Sequence, residues 1–239
     1  MGTMIYKDAQ AAGAAAATLL AAQFIQKPNS VVGLCVSGQS ISIYRQLAAM
    51  TAAGILDWSE TSLFLTSELA GRSREGLVCE FLSRHLLDAI GLNVSRIYRP
   101  NHIAINLEDA CASFEKNLAE AGDMDILLLP LGKGGHIAYN SSSSELSAFT
   151  HVEDLTDEAA EECASMFAPN SNAPLQMVTM GMSTLLSAKR IILCAFGKQA
   201  AKPVADMMSS RITTEIPASM LQLHPNVTYM LDEEAAIYL

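Results

Sequence analysis

The chain has 239 residues, half of them hydrophobic, and its 15 Lys and Arg against 25 Asp and Glu give a formal net charge of −10. This length can bury one full core, so we expect a single domain over residues 1–239. The acidic balance without a basic cluster argues against a nucleic-acid partner, and apolar runs far shorter than the roughly 20 residues that span a bilayer predict a cytoplasmic protein outside the membrane.

Helical and extended segments alternate along most of the chain. We exclude Met1–Thr3 from the fold prediction as a start remnant. Apolar spacing and propensity predict helices over 8–26, 41–53, 75–91, 107–121, 155–167 and 198–210, and strands over 31–36, 62–66, 96–98, 124–131, 189–197 and 227–232. The segment 177–188 fits either structure. The alternation predicts an α/β fold with a mostly parallel sheet that helices cover on both faces.

The cysteines do not suggest a disulfide framework or a zinc site, because they are odd in number, widely spaced and without a C-x-x-C pair. They are Cys35, Cys79, Cys111, Cys163 and Cys194. We expect them to be small buried hydrophobic residues in a reducing compartment. The sequence predicts no metal site and no cofactor.

Three predicted strands run into loops rich in glycine and serine, at 36–40, 66–71 and 131–144. Ligands bind beyond the carboxyl ends of the strands in parallel sheets, so these loops form the candidate site. The third loop, LGKGGHIAYN, surrounds His136, a group suited to proton transfer, with glycines that let a ligand approach the backbone. No carboxylate within 130–144 orients that histidine.

Several segments match a known family in order and spacing. SGQS after the first strand, TSELAG after the second, LGKGGHIAYN, VTMGMSTLLSAKRIIL and IPASMLQLHPNVTYMLDEEA resemble the glucosamine-6-phosphate deaminase/isomerase family, which is related to the 6-phosphogluconolactonases. The resemblance implies a three-layer α/β/α Rossmann-like sandwich, often assembled as a homo-oligomer. It also implies a small anionic sugar-phosphate ligand and an isomerase or deaminase of carbohydrate metabolism.

The resemblance assigns roles residue by residue. His136 aligns with the histidine that opens the sugar ring, and Glu68 is the remaining carboxylate of the family's acidic pair, so these two are the implied catalytic residues. The implied substrate-binding residues are Ser37, Gly38, Gln39, Ser40, Ser67, Gly132, Gly134, Gly135, Asn140, Ser141 and Lys198.

The family's acids, base and phosphate ligands are replaced at several positions. Ser67 stands where the family has the aspartate that moves a proton between C1 and C2, and Gly134 and Ser141 stand where it has two acids beside the histidine. The family's basic phosphate ligands align near Ser165 and with Ala200. A serine hydroxyl is a weak base, and losing a general base costs on the order of 10²–10⁴ in rate. We therefore expect weak or altered activity.

Each candidate residue also has a plain structural explanation. Glu68 either swings into the base position or bonds to loop backbone, and the second is favoured because adjacent strand residues point in opposite directions. His136 either contacts the ligand or is retained by the packing of its loop. Residues 37–40 either hold an anion through N–H groups and hydroxyls or form an ordinary serine-capped helix start. Lys198 offers a cation near the lost lysine, whereas Lys202 would face elsewhere.

The other histidines are interpreted as structural. His224 precedes Pro225 in a turn before the last predicted strand. His85, His102 and His151 have no motif context and are expected on the surface or in packing.

Three functions remain open from the sequence. The first is an active sugar-phosphate isomerase or deaminase whose chemistry is remodelled around His136 and Glu68. The second is a non-catalytic sugar-phosphate binder with a sensing or regulatory role. The third is hydrolysis of a sugar lactone, against which the loop lacks both the lactonase SLF sequence and an acid beside His136.

Overall fold

The computed structural model describes residues 2–71, 76–167 and 176–239, apart from the side chain of Glu158. Within these ranges the strands are β1 (Gly2–Tyr6), β2 (Val31–Leu34), β3 (Ser62–Leu65), β4 (Ser67–Leu69), β5 (Ile97–Tyr98), β6 (Ile126–Pro130), β7 (His151–Asp154), β8 (Gln176–Thr179), β9 (Ile191–Ala195) and β10 (Val227–Asp232). The helices are α1 (Ala9–Gln26), α2 (Ile41–Ala52), α3 (Leu77–Leu82), α4 (Asp88–Ile90), α5 (Leu107–Ala121), α6 (Asp157–Phe167), α7 (Met182–Leu186) and α8 (Ala201–Met207).

Seven strands form a central sheet in the order β1-β10-β9-β6-β2-β3-β5, and each neighbouring pair is parallel. The predicted parallel α/β sheet is therefore confirmed. β9, β6 and β2 lie side by side at its centre, where Leu128 is in register with both Ile192 and Leu34. Because these strands are parallel, the loops that follow them leave from the same edge of the sheet.

Side chains of the sheet alternate between two apolar layers. On β6, Leu128 packs in one cluster with Leu20 of α1 and Leu47 of α2. The neighbouring Leu127 points to the other face, in a cluster with Phe114 of α5. This alternation buries both faces of the sheet, so the three-layer α/β/α arrangement that the resemblance implies is confirmed.

The first strand corrects one prediction. Excluding Met1–Thr3 from the fold is wrong, because Gly2–Tyr6 forms β1, which runs parallel to β10 from Gly2↔Thr228 to Tyr6↔Asp232. The first four of its residues are exposed. Backbone hydrogen bonds rather than burial hold this edge strand, so no apolar alternation marks it in the sequence.

A small second sheet replaces the loop predicted at 66–71. β4 pairs antiparallel with β8, with Ser67 opposite Thr179, and β8 pairs antiparallel with β7, with Val178 opposite Val152. The ambiguous segment 177–188 contains most of β8 and then α7. These strands have three or four residues each and their partners lie far apart in sequence, so local patterning could not reveal them.

The remaining elements match the predictions with small shifts at their ends. A π-helical turn (Ser83–Leu87) joins α3 to α4, so the helix predicted over 75–91 is present over 77–90; residue 75 lies outside the described residues. Gly91 ends this helix in the left-handed region at φ +64°, as predicted for a C-cap. A 3-10 segment (Pro217–Leu223) precedes β10.

One buried carboxylate, Asp125, joins chain segments at the edge of the sheet where β2 and β6 begin. Its Oδ2 accepts hydrogen bonds from Lys27 Nζ (2.6 Å) and Val31 N (2.9 Å), and its Oδ1 accepts one from Lys189 Nζ (2.8 Å). Burial raises the pKa of Asp125, but the hydrogen bonds from Lys189, Lys27 and Val31 outweigh burial and hold that pKa below its usual value. Asp125 is therefore ionised, and its carboxylate stabilises the beginnings of β2 and β6.

The cysteines are free thiols. Cys35, Cys111, Cys163 and Cys194 are buried as expected, while Cys79 is half-buried. Within the described ranges, no helix combines the length and apolar character needed to cross a membrane. The same residues contain no group of three or more His, Cys, Asp or Glu side chains placed to hold a metal ion.

Candidate functional site

The loops that follow β2, β6 and β9 enclose a cavity of about 500 Å³ at the carboxyl edge of the sheet. The predicted site residues that line it are Ser37, Gly38, Gln39, Gly132, His136 and Lys198. The structure thus brings the first and third predicted loops together, and it adds the loop after β9.

Gln39 joins these three loops. Its Nε2 donates a hydrogen bond to the carbonyl of Leu131 (3.2 Å) after β6, and its Oε1 accepts one from the N–H of Phe196 (3.1 Å) after β9. The side-chain amide therefore holds neighbouring strand ends at a fixed separation. Gln39 lines the cavity, but its amide is occupied by backbone, which favours a positioning role over direct ligand contact.

The serines of the first loop do not cap the helix that follows. The 3-10 turn (Gly38–Ser40) leads into α2, and neither Ser37 nor Ser40 makes a side-chain cap. Ser40 is buried and its Oγ donates to the carbonyl of Cys35 (3.4 Å). The serine-capped helix start is therefore wrong as an explanation of this loop, and the Ser37 side chain lines the cavity instead.

His136 is held by a backbone carbonyl where the family resemblance implies carboxylates. Its Nδ1 lies 2.7 Å from the carbonyl oxygen of Lys133, which can only accept, so Nδ1 carries the proton of this bond. Its Nε2 lies against Gly132, where an added Cβ would be only 1.9 Å from that nitrogen. Glycine at 132 is therefore required for the observed position of the imidazole.

Strained backbone shapes the rest of the histidine loop. Gly134 and Gly135 have φ of +68° and +83°, and Ala138 has φ +48°, a region that residues with a Cβ rarely adopt. Gly135 is buried against Ile216. Gly134 and Ser141 line a neighbouring cavity of about 190 Å³ that also contains His136.

A carboxylate outside the cavity positions the loop after β9. Asp232, at the end of β10, accepts hydrogen bonds from the N–H of Gly197 through both carboxylate oxygens at 2.9 Å. Gly197 has φ +79° and directly precedes Lys198. Lys202, one turn along α8, instead pairs with Asp206 on the surface, so the prediction that Lys202 faces elsewhere is confirmed.

Three further predicted residues are buried away from both cavities: Ser67, Glu68 and Asn140. Asn140 Nδ2 donates to the carbonyls of Ile137 (3.1 Å) and Met180 (2.8 Å), which ties the histidine loop to the end of β8. Ser67 lies in β4, and no described residue hydrogen-bonds to its Oγ. None of these three residues lines either cavity that contains His136, and their catalytic and binding roles stay predictions.

Glu68 caps the start of α3. Its Oε1 accepts from the N–H groups of Leu69 (3.0 Å) and Val78 (2.9 Å), and its Oε2 accepts from that of Cys79 (3.0 Å). Burial raises the pKa of Glu68 above its usual value, although these backbone bonds and the nearby His102 act in the opposite direction. The favoured structural interpretation, a Glu68 bonded to backbone, is confirmed.

Several residues that line the cavity are not among those predicted from the sequence. Helix α6 presents Ala159, Glu162 and Met166 to it, at helical spacing i, i+3 and i+7, while the predicted position Ser165 is exposed on another side. Tyr139 also lines the cavity, and its hydroxyl accepts a hydrogen bond from Cys163 Sγ (3.2 Å). The spacing on α6 is visible in the sequence, but which side faces the sheet is not.

The other histidines lie elsewhere. His224 is buried and its Nε2 bonds the carbonyl of Ala188 (2.7 Å), which confirms its structural role. A larger cavity of about 980 Å³ lies between α5, β7 and α7 and includes His151, but none of the predicted site residues lines it.

The chain is similar to known proteins over almost its whole length. The family model for glucosamine-6-phosphate isomerases/6-phosphogluconolactonase matches residues 6–230. The chain belongs to this family. A glucosamine-6-phosphate deaminase of Halothermothrix orenii is 33% identical over 223 residues, which cover 92% of each chain. One of Clostridium perfringens is 33% identical over 238 residues, covering 99% of this chain and 98% of that one.

Solved structures of the isomerase/lactonase family share the fold. A monomeric glucosamine-6-phosphate deaminase superposes with a TM-score of 0.93 at 31% identity, over 100% of both chains. The 6-phosphogluconolactonase of Trypanosoma brucei has a TM-score of 0.76 at 16% identity, covering 100% of this chain and 98% of that one. The second similarity supports the Rossmann-like fold alone, whereas the first also accords with the family's deaminase branch.

Proposed function

We propose that this chain is an amino-sugar-phosphate isomerase/deaminase that binds its substrate in the cavity of His136 and turns it over slowly. The observation that carries the proposal is the convergence of His136, the Ser37–Gln39 loop and Lys198 on one cavity. The relatives at about one-third identity are glucosamine-6-phosphate deaminases, which supports the substrate class.

We expect the phosphate group of the substrate to bind at the start of the 3-10 turn. The N–H groups of Gly38 and Gln39 make no hydrogen bond with a described residue, as is usual for the first residues of a helix. Ser37, Gly38, Gln39 and Lys198 all line the cavity. Backbone N–H groups at a helix start favour an anion, and the lysine adds a positive charge.

His136 opens the sugar ring. A neutral imidazole that donates from Nδ1 to the Lys133 carbonyl has its lone pair on Nε2. Nε2 takes the proton of the C1 hydroxyl and returns it to the ring oxygen, which breaks the bond between C1 and that oxygen and leaves an open-chain aldehyde. The carbonyl fixes the tautomer that this transfer needs.

The proton transfer between C1 and C2 limits the rate. Ser67 stands at the base position with a buried hydroxyl, and Glu68 is occupied by three backbone N–H groups. Without a well-placed carboxylate we expect this step to be slower by on the order of 10²–10⁴.

Incubation with glucosamine-6-phosphate tests the proposal. We expect slow release of ammonia and a ketose phosphate, lost in His136→Gln and retained in His151→Gln, a matched change outside the cavity. Absence of both products in the unmodified protein, or equal rates in the two variants, would contradict it.

The second candidate is a sugar-phosphate binder without turnover, with a sensing or regulatory role. The observation that favours it is that the Glu68 carboxylate accepts hydrogen bonds from backbone N–H groups at the start of α3. Glucosamine-6-phosphate at 100 times its Kd should raise the free energy of unfolding by about 2.7 kcal/mol. Stabilisation without product supports this candidate, whereas no stabilisation excludes both. A homo-oligomer and a cytoplasmic location stay predictions.

A further inference from the structure

We propose that Glu162 on α6 determines specificity by binding the ammonium group of an amino-sugar phosphate. The inference rests on the proposed function, because it requires a sugar phosphate in the cavity of His136. It assigns a task to a carboxylate that the family's sequence motifs do not include.

Glu162 stands at the junction of two cavities. The 500 Å³ cavity and its 190 Å³ neighbour share four lining residues, which are Lys133, His136, Ala159 and Glu162. A ligand in either cavity therefore lies in a space that both His136 and Glu162 line. The side chain is half-buried, so its charge is partly shielded from water.

The carboxylate is available to a ligand. No described residue donates a hydrogen bond to it or forms an ion pair with it, in contrast to the committed carboxylates of Glu68 and Asp232. Glu162 is also the one acidic side chain among the described residues that line these two cavities. The positions where the resemblance implies acids beside the histidine, Gly134 and Ser141, supply no charge.

The charges of the cavity match an ion with two opposite ends. Gly38 and Lys198 line only the larger cavity, where an N–H group and an ammonium group suit an anion. Glu162 lines both cavities together with His136 and the cation Lys133, and its carboxylate suits a cation. An amino-sugar phosphate carries a phosphate and, near neutral pH, an ammonium group. The corresponding hydroxy sugar has only the phosphate. The Glu162 carboxylate repels that phosphate and gains no cation as a partner, so its charge stays unpaired.

This arrangement predicts effects of opposite sign on two ligands. Glu162→Gln removes the attraction for the amine, so glucosamine-6-phosphate should bind more weakly, by roughly tenfold. The same change removes the repulsion of the phosphate, so glucose-6-phosphate should bind as well as before or more tightly. Glu161→Gln is the matched control, because Glu161 is the exposed neighbour on α6 and lines neither cavity.

Calorimetric titration of the full chain with both sugar phosphates tests the inference. We expect the unmodified protein and Glu161→Gln to prefer glucosamine-6-phosphate by about tenfold, and Glu162→Gln to lose that preference. Equal affinity for both sugars in the unmodified protein, a preference that survives in Glu162→Gln, or no binding of either sugar would overturn it.

The readout separates this inference from the proposed function. A preference that depends on Glu162 without release of ammonia supports the inference and removes the proposed turnover. Release of ammonia that depends on His136, with equal affinity for the two sugars, supports the proposed turnover and overturns the role of Glu162.

Discussion

Removal of the Glu68 carboxylate should destabilise the fold rather than specifically stop the chemistry. The carboxylate accepts three backbone N–H groups in a fully buried position. Alanine at this position leaves all three donors without an acceptor, and we expect a loss of about 3–5 kcal/mol in the free energy of unfolding. Glutamine keeps one oxygen and the side-chain volume, so its loss should be smaller, about 1–3 kcal/mol.

Urea unfolding of Glu68→Gln, Glu68→Ala and the exposed control Glu60→Gln measures these values. Glu60→Gln should change the free energy of unfolding by less than about 0.5 kcal/mol. Binding of glucosamine-6-phosphate to folded Glu68→Gln should stay close to that of the unmodified protein, because Glu68 lines neither cavity of the site. Unchanged stability together with abolished turnover in Glu68→Gln would show that Glu68 is a catalytic base and not a structural cap of α3.

Three other substitutions give clear expectations. Gly132→Ala places a Cβ at 1.9 Å from His136 Nε2 and so must displace the imidazole, and ammonia release should fall at least tenfold while far-UV circular dichroism stays unchanged. Lys198→Met should weaken binding of inorganic phosphate by roughly tenfold and Lys202→Met should not, as measured by thermal unfolding at a series of phosphate concentrations. Asp125→Asn should lower the free energy of unfolding by about 1–3 kcal/mol at neutral pH. Because the folded-state pKa of Asp125 is lowered, its contribution is complete above the unfolded pKa of about 3.9 and is lost as the pH falls through the folded value, so the two proteins should converge in acid. A difference in unfolding free energy between the two proteins that stays constant down to the folded-state pKa would contradict this role of the Asp125 carboxylate.

The central sheet could be predicted from the sequence because its strands are continuous apolar runs between amphipathic helices. Burial on both faces imposes that pattern on β6, whose five residues are all buried. β1 gives no such signal, since four of its five residues are exposed and its backbone pairing with β10 is independent of side-chain type. β4 escapes detection because its three residues gain their partner only when the chain folds back to Thr179.

The site was predictable where it depends on the edge of the sheet. Loops after neighbouring parallel strands must meet, so the approach of His136 to residues 37–39 follows from strand order. Strand alternation predicted that Glu68 bonds to backbone, but the identity of its partners and the direction of Glu162 depend on packing that one sequence does not encode locally. Glu68 turns towards the start of α3, whereas Glu162 faces the cavity because of how α6 lies across it.

A crystal structure of the protein with glucosamine-6-phosphate would show which residues bind each group of the sugar. We expect the phosphate at the N–H groups of Gly38 and Gln39 beside Lys198, C1 and the ring oxygen at His136 Nε2, and the amine beside Glu162. A sugar bound in the 980 Å³ cavity between α5 and α7, or in the His136 cavity with its phosphate directed away from the 3-10 turn, would contradict it.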